Sequence, residues 1–169
     1  MTVNTLLAID AGLTCGFAFF CLDTQRLLRY RSHHYGSLAR LRRAAVAFLG
    51  DEPTVRAIVV EGGGDIATAW QKPAQHRRIP IVLVTAQQWR ADALLPREQR
   101  RGTVAKKAAI VSARDHISAH ADRRTKSLRD DTAEAIMVGE WALSRLSILF
   151  PAPLVTEAPL ERNPDDPQP

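Results

Sequence analysis

The chain has 169 residues, is 46% hydrophobic and carries a formal net charge of +5. That length fits one domain with a full core, and no apolar run approaches the ~20 residues of a membrane span. The basic balance suits a partner rich in phosphate; the bland alternative is a solvated, arginine-rich surface.

Residues 5–10 read as a strand apolar on both faces, and therefore central in its sheet. Ala11 to Gly16 reads as a tight turn, Phe17 to Leu22 as a second strand, and Arg26 to Tyr35 as a third, giving an antiparallel meander. Ser37 caps a helix running to about Leu49, with Leu38, Leu41, Ala45 and Phe48 on one face. A strand over 57–61 follows that helix and should lie parallel to its neighbour. Glycines 62–64 open a helical segment from about Asp65 to Gln75, and Pro80 starts a fifth strand over 81–84. Thr85 or Ala86 leads into a short helix with Trp89, residues 92–103 read as a mobile loop, and helices follow over about 104–119 and 130–147.

Three antiparallel strands, a helix, then two parallel strands alternating with helices predict an α/β fold with a mixed five-stranded sheet, the ribonuclease-H-like pattern. The domain is expected to span 1–150. Residues 151–169 read as a disordered tail, with prolines at 151, 153, 159, 164, 167 and 169 among acidic residues.

Cys15 and Cys21 are the only cysteines. On one strand they would stand roughly 20 Å apart at ~3.3 Å per residue, beyond the ~7 Å that a disulfide allows. They read as reduced core residues, and no Cys/His spacing suggests zinc. His116 and His120 are four residues apart but have no accompanying HExxH pattern. The start of the chain does not read as a signal peptide, because no basic segment precedes its apolar run and Asp10 interrupts that run.

Four acidic residues stand out. Asp10 ends the first strand and Glu61 the fourth, while Asp131 and Glu134 sit one turn apart at the start of the last helix. Carboxylates at the ends of buried strands are costly unless a cation meets them, and hard oxygen ligands from distant parts of a chain suit Mg²⁺ or Mn²⁺. Asp131-x-x-Glu134 also matches a capping box, and Asp130 is a second candidate for the cap or for a ligand. Glycines 62–64 lack the spacing of a phosphate-binding loop.

Ile9-Asp10-x-Gly12-x-x-x-Gly16-Phe17, Val59-Val60-Glu61 and Asp131-x-x-Glu134-Ala135-Ile136 together resemble the RuvC-type Holliday junction resolvases of the ribonuclease-H-like superfamily. Trp89 followed by Lys106-Lys107-Ala108 is similar to the short phage- and plasmid-type members. The resemblance covers roughly residues 5–145. It implies a crossover junction endonuclease in which Asp10, Glu61, Asp131 and Glu134 hold two Mg²⁺ or Mn²⁺ ions. The expected ends are 5′-phosphate and 3′-hydroxyl, and the partners are branched DNA and a second copy of the chain, with the protein in the cytoplasm at the nucleoid. Gly12 and Gly16 would keep the first turn open beside the scissile phosphate. Lys106 or Lys107 would supply a basic residue, Lys106 on DNA and Lys107 at the chemistry.

Two positions depart from the family. Glu134 stands where a second aspartate is usual, and Gly64 stands where bacterial members carry an aromatic used at the junction centre. Trp70 is the candidate substitute. Arg123, Arg124 and Lys126 flank the last helix and are candidate DNA contacts, while Trp141 reads as core. The rival readings are an actin-like ATPase fragment, which shares the Asp-x-Gly strand, and an inert ribonuclease-H-like binding module.

Overall fold

The computed structural model describes residues 3–93, 107, 110–115, 117, 128–152 and 154. Its sheet has the order β3-β2-β1-β4-β5, from β1 (Thr5–Asp10), β2 (Thr14–Cys21), β3 (Leu27–His34), β4 (Val55–Glu61) and β5 (Ile81–Val84). The β1–β2 and β2–β3 pairs are antiparallel, and β1–β4 and β4–β5 are parallel. This is the expected ribonuclease-H-like topology. The helices are α1 (Leu38–Gly50), α2 (Gly64–Thr68), α3 (Gln71–His76), α4 (Ala86–Ala93), α5 (Asp130–Leu143) and α6 (Leu146–Leu149). Residues 110–115 are helical as well.

The alternation of strand side chains sorts the core into two layers. Leu6 and Ala8 of β1, Ala18 and Phe20 of β2, and Ala57 and Val59 of β4 face α5, where Ala133, Ile136 and Met137 meet them. Leu7 and Ile9, Phe17 and Phe19, and Ile58 and Val60 face the other way, onto Leu41, Ala45 and Leu49 of α1 and onto Trp70. A strand buried on both faces must be apolar throughout, which is why β1 shows no alternation until Asp10.

Several local differences from the sequence expectation have clear causes. β2 begins at Thr14, because Cys15 and Gly16 already pair with His33 and Ser32 of β3. The helix expected over 65–75 is broken into α2 and α3. Pro73 offers no N–H and its ring crowds the carbonyl of Ala69, so one continuous helix cannot pass through. The long last helix is interrupted at Ser144 and Arg145, where the Ser144 hydroxyl donates to the Trp141 carbonyl at 2.7 Å. Thr85 proves to be the cap of α4. Its backbone N–H donates to the Gln88 side-chain oxygen at 2.7 Å, and its hydroxyl accepts from the Gln88 N–H at 3.3 Å, a reciprocal capping box. Ser37 caps α1 as expected, accepting from the Arg40 N–H.

Cys15 and Cys21 are buried and free, and burial pushes the Cys15 thiol up to about 11. Among the described residues no helix is long and apolar enough to cross a membrane. The tail beyond Leu154 and most of the segments expected as the 92–103 loop and the 104–119 helix lie outside the described residues.

Candidate metal centre

Parallel register brings the two strand-end carboxylates together. Asp10 pairs directly with Glu61 across β1 and β4, and both follow the parity of the residues that face α5. From above, Glu134 of α5 completes the group. Asp10, Glu61 and Glu134 each offer an oxygen, and these atoms all lie within 4.8 Å of one another. Glu61 and Glu134 are buried, at 8% and 5% exposure. Glu134, at the position where the sequence resemblance led one to expect an aspartate, therefore reaches the pair.

Close docking of α5 makes this possible, and it depends on small residues. Gly16 lies opposite Asp10 in the β1–β2 ladder, and a Cβ at Gly16 would collide with the backbone of Asp131 and Thr132. A Cβ at Gly139 would collide with the Phe20 ring. Gly16 thus seats the helix on the sheet, a role beyond the one expected from sequence. Gly12 sits in the turn between β1 and β2, where a Cβ would come within 2.8 Å of the Thr14 carbonyl.

Asp131 is held beside the cluster. The Ser32 hydroxyl of β3 donates to its carboxylate, and Arg129 lies 3.7 Å from its other oxygen. Its charge acts on Asp10, although the described set of converging ligand atoms does not include it. Asp130 is exposed. No side chain caps the start of α5; Asp131 and Glu134 are engaged with Ser32 and Arg90 instead, so the capping-box alternative does not describe them.

Electrostatics mark the site as one that calls for a cation. Burial first, then the charge of Glu61, then that of Glu134, push the Asp10 carboxyl from 3.8 up to about 9; a hydrogen bond to Glu61 and the charge of Asp131 add to this. Three carboxylates this close cannot all stay ionised in a dry setting, so without a cation the cluster keeps a proton. The donors are all carboxylate oxygens arriving from three separate elements, a set that suits Mg²⁺ or Mn²⁺.

The other expected site residues fall in different places. Lys107 is helical and exposed; among the described residues, Arg90 of α4 pairs with Glu134. Trp70 must be corrected as a DNA contact. It is 0% exposed and packs edge-on against Phe17 and Phe48, with ring centroids 5.5 and 5.4 Å apart, so it is a core residue of the α1 layer. Trp141 is buried as expected, its indole N–H donating to Asp92 at 2.9 Å. Lys106, Arg123, Arg124 and Lys126 lie outside the described residues. Sequence reasoning missed Arg90 and Ser32. The only signal for Arg90 was its place beside Trp89, and Ser32 looked like one more polar residue on an edge strand.

No protein-family model matches this chain, and no curated protein matches it significantly by sequence. Solved structures do match its fold. The RuvC structure of Thermus thermophilus superposes with a TM-score of 0.60 at 13% identity, over 84% of this chain and 95% of that one. The same organism's RuvC in complex with a Holliday junction substrate gives 0.60 at 12% identity, over 85% and 94%. The yeast mitochondrial Holliday junction resolvase gives 0.50 at 10% identity, over 87% and 82%. At such identities the likeness establishes a ribonuclease-H-like fold of the kind found in those resolvases.

Proposed function

We propose that this protein is a divalent-metal-dependent endonuclease that cuts branched DNA, with the four-way Holliday junction as its substrate. The observation that carries the reading is the convergence of Asp10, Glu61 and Glu134 at the carboxyl ends of β1 and β4, under the start of α5. Resolvases share this fold over nearly their whole length, and one of them was captured on a Holliday junction; both facts favour the same substrate class here.

Asp10, Glu61 and Glu134, with Asp131 beside them, would hold two Mg²⁺ or Mn²⁺ ions. Such ions, when bound, supply an activated water and stabilise charge on the phosphoryl group and the leaving 3′ oxygen. The chain's own part is to hold the carboxylates. Asp10 and Glu61 are fixed by strand register, Glu134 by a helix that Gly16 and Gly139 let sit close on the sheet, and Asp131 by Ser32. The product ends would be 5′-phosphate and 3′-hydroxyl. A four-way junction presents two symmetric strands to cut, so the working unit in this reading is a homodimer with two equivalent centres. The inert-module rival gains no support, because such a module has no need of a buried, mutually repelling carboxylate cluster.

Cleavage of matched junction, fork, duplex and RNA–DNA hybrid substrates with Mg²⁺ or Mn²⁺ tests the proposal. The expected result is metal-dependent cutting of the junction in preference to the linear duplex. Preference for the hybrid, or no cutting of any substrate by metal-loaded protein, would overturn the assignment.

A further inference from the structure

We infer that Arg90 is a positioning residue for the metal centre: its guanidinium holds Glu134 in the orientation from which that carboxylate can ligate. The inference rests on the metal-centre reading above and adds to it a cationic side chain that the sequence pattern does not single out.

Arg90 Nη2 makes an ion pair with Glu134 Oε1, from a side chain only 20% exposed onto one only 6% exposed. A carboxylate has two oxygens. An arginine gripping one of them from the α4 side leaves the other free and fixes its direction, as the outer partners of metal ligands generally do. Glu134 needs such a partner more than Asp10 or Glu61 does. Those two are placed by the backbone register of adjacent strands, whereas Glu134 has a long, rotatable side chain reaching down from a helix.

Arg90 is itself firmly placed. Trp89 beside it is 0% exposed in the α5 layer, and the Arg90 guanidinium lies 5.2 Å from the Trp89 ring centroid. Two contacts that do not involve Arg90 also tie α4 to the end of α5 and the residues after it. Asp92 accepts from the Trp141 indole at 2.9 Å and pairs with Arg145 at 2.9 Å. The position of α4 therefore does not depend on the Arg90–Glu134 pair, and substitutions at Arg90 should act on the glutamate rather than on the fold. Arg90 Nε is buried without a hydrogen-bond partner among the described residues.

The experiment measures Mn²⁺ affinity by calorimetry or paramagnetic resonance at fixed pH, without DNA, for the wild type and for Arg90→Gln, Arg90→Lys, Glu134→Gln and the Arg90→Gln/Glu134→Gln double variant. Thermal melting confirms folding. Arg90→Gln is expected to weaken Mn²⁺ binding by about 10–100-fold, the usual loss when a ligand's outer partner is removed, with Arg90→Lys recovering part of it. In the Glu134→Gln background, Arg90→Gln is expected to change affinity less than twofold, because the residue acts through that carboxylate. Unchanged Mn²⁺ affinity in Arg90→Gln would overturn the inference. So would tighter binding, since Arg90 would then be a competitor of the metal. A loss that persists in full without Glu134 would overturn it too. A wild-type protein that takes up no Mn²⁺ would instead bring down the metal-centre reading itself, and this inference with it.

Discussion

The two faces of the sheet are built from alternate residues of the same strands, yet they solve different problems. The face under α1 is filled with large rings: Phe17 stacks on Phe48 at 4.7 Å, and Trp70 closes the layer. Where α5 crosses the sheet, the contact is made by small residues such as Ala8, Ala18, Ala133, Gly16 and Gly139, while Phe20, Trp89 and Trp141 fill the layer around it. Bulk on the first face supplies burial. Smallness on the second lets a helix sit so close that its carboxylates meet those of the strands. The same division appears at the strand ends, where Ile9 and Val60 point into the aromatic layer while Asp10 and Glu61, one residue later, point under α5. One face stabilises the molecule, and the other spends part of that stability on a cluster of repelling charges.

The sharpest way to break this contrast is to change one residue of the costly cluster. Asp10→Asn should abolish cleavage while leaving junction binding measurable by gel shift, because the shape stays and the charge that would hold metal goes. The same substitution should raise the melting temperature of the metal-free protein at neutral pH, since Asn needs no proton to be tolerated there. Near-normal cleavage would remove Asp10 from the site, and a lower melting temperature would show that the cluster is not strained. Glu61→Gln and Asp131→Asn should lose cleavage as well, whereas Asp130→Asn, at an exposed position, should retain it.

Trp70→Ala tests the other face. Removing a fully buried tryptophan typically costs about 3–5 kcal/mol, so a large fall in thermal stability is expected. At a temperature where the variant is folded, junction affinity and cleavage should be close to wild type. A selective loss of junction binding in a stably folded variant would return Trp70 to the DNA surface and contradict its burial.

These two outcomes also bear on what the sequence could and could not reveal. The five strands, their parallel or antiparallel sense and the acids at the ends of β1 and β4 were legible because each rests on local signals: apolar runs, a helix between parallel strands, and the residue that ends each run. Trp70 was legible only as an aromatic near the departing position Gly64, and its place in the core depends on packing against Phe17 and Phe48 from distant elements. Arg90 and Ser32 were invisible for a different reason. Each acts through a partner 44 or 99 residues away, and neither a helix nor an edge strand announces which of its polar residues faces a neighbour.

The pH dependence follows from the raised Asp10 carboxyl. In the unfolded chain Asp10 ionises near its ordinary value of 3.8, but in the folded protein it does so only at about 9. The folded state thus binds more protons between those values, and its stability falls as pH rises through that window. Below about 4 both states are protonated and this penalty vanishes. Melting of the metal-free protein should therefore worsen from acidic toward alkaline pH at this site's expense, and Asp10→Asn should flatten the trend. Saturating Mn²⁺ should flatten it too, with proton release on binding that is detectable as a buffer-dependent heat. A melting profile for Asp10→Asn that parallels the wild type would assign the slope to other groups.

A smaller effect is expected from the basic residues that precede α5 in the sequence. Each phosphate neutralised contributes a slope of about −0.9 to log K against log salt on duplex DNA. Replacing Arg123, Arg124 and Lys126 by glutamine should flatten that slope while leaving thermal melting unchanged. An unaltered slope would make these residues ordinary solvated charges.

The smallest effect concerns the end of the chain, and two truncations separate its parts. Leu154 packs against the α5 layer, alongside Phe150 at 5% exposure, whereas the sequence beyond it is proline-rich and carries Glu157, Glu161, Asp165 and Asp166. Acidic charge repels DNA, so removing residues 155–169 should leave cleavage unchanged and tighten junction binding slightly, by less at higher salt. Cutting back to residue 150 also removes Leu154. That should cost about 1 kcal/mol, in keeping with the loss of a partly buried leucine, without altering the chemistry. Melting, sizing and junction cleavage on the full chain, 1–154 and 1–150 check both. If 1–154 becomes inactive or changes its oligomeric state, the acidic tail is part of the working assembly, and the domain does not end where its apolar residues do.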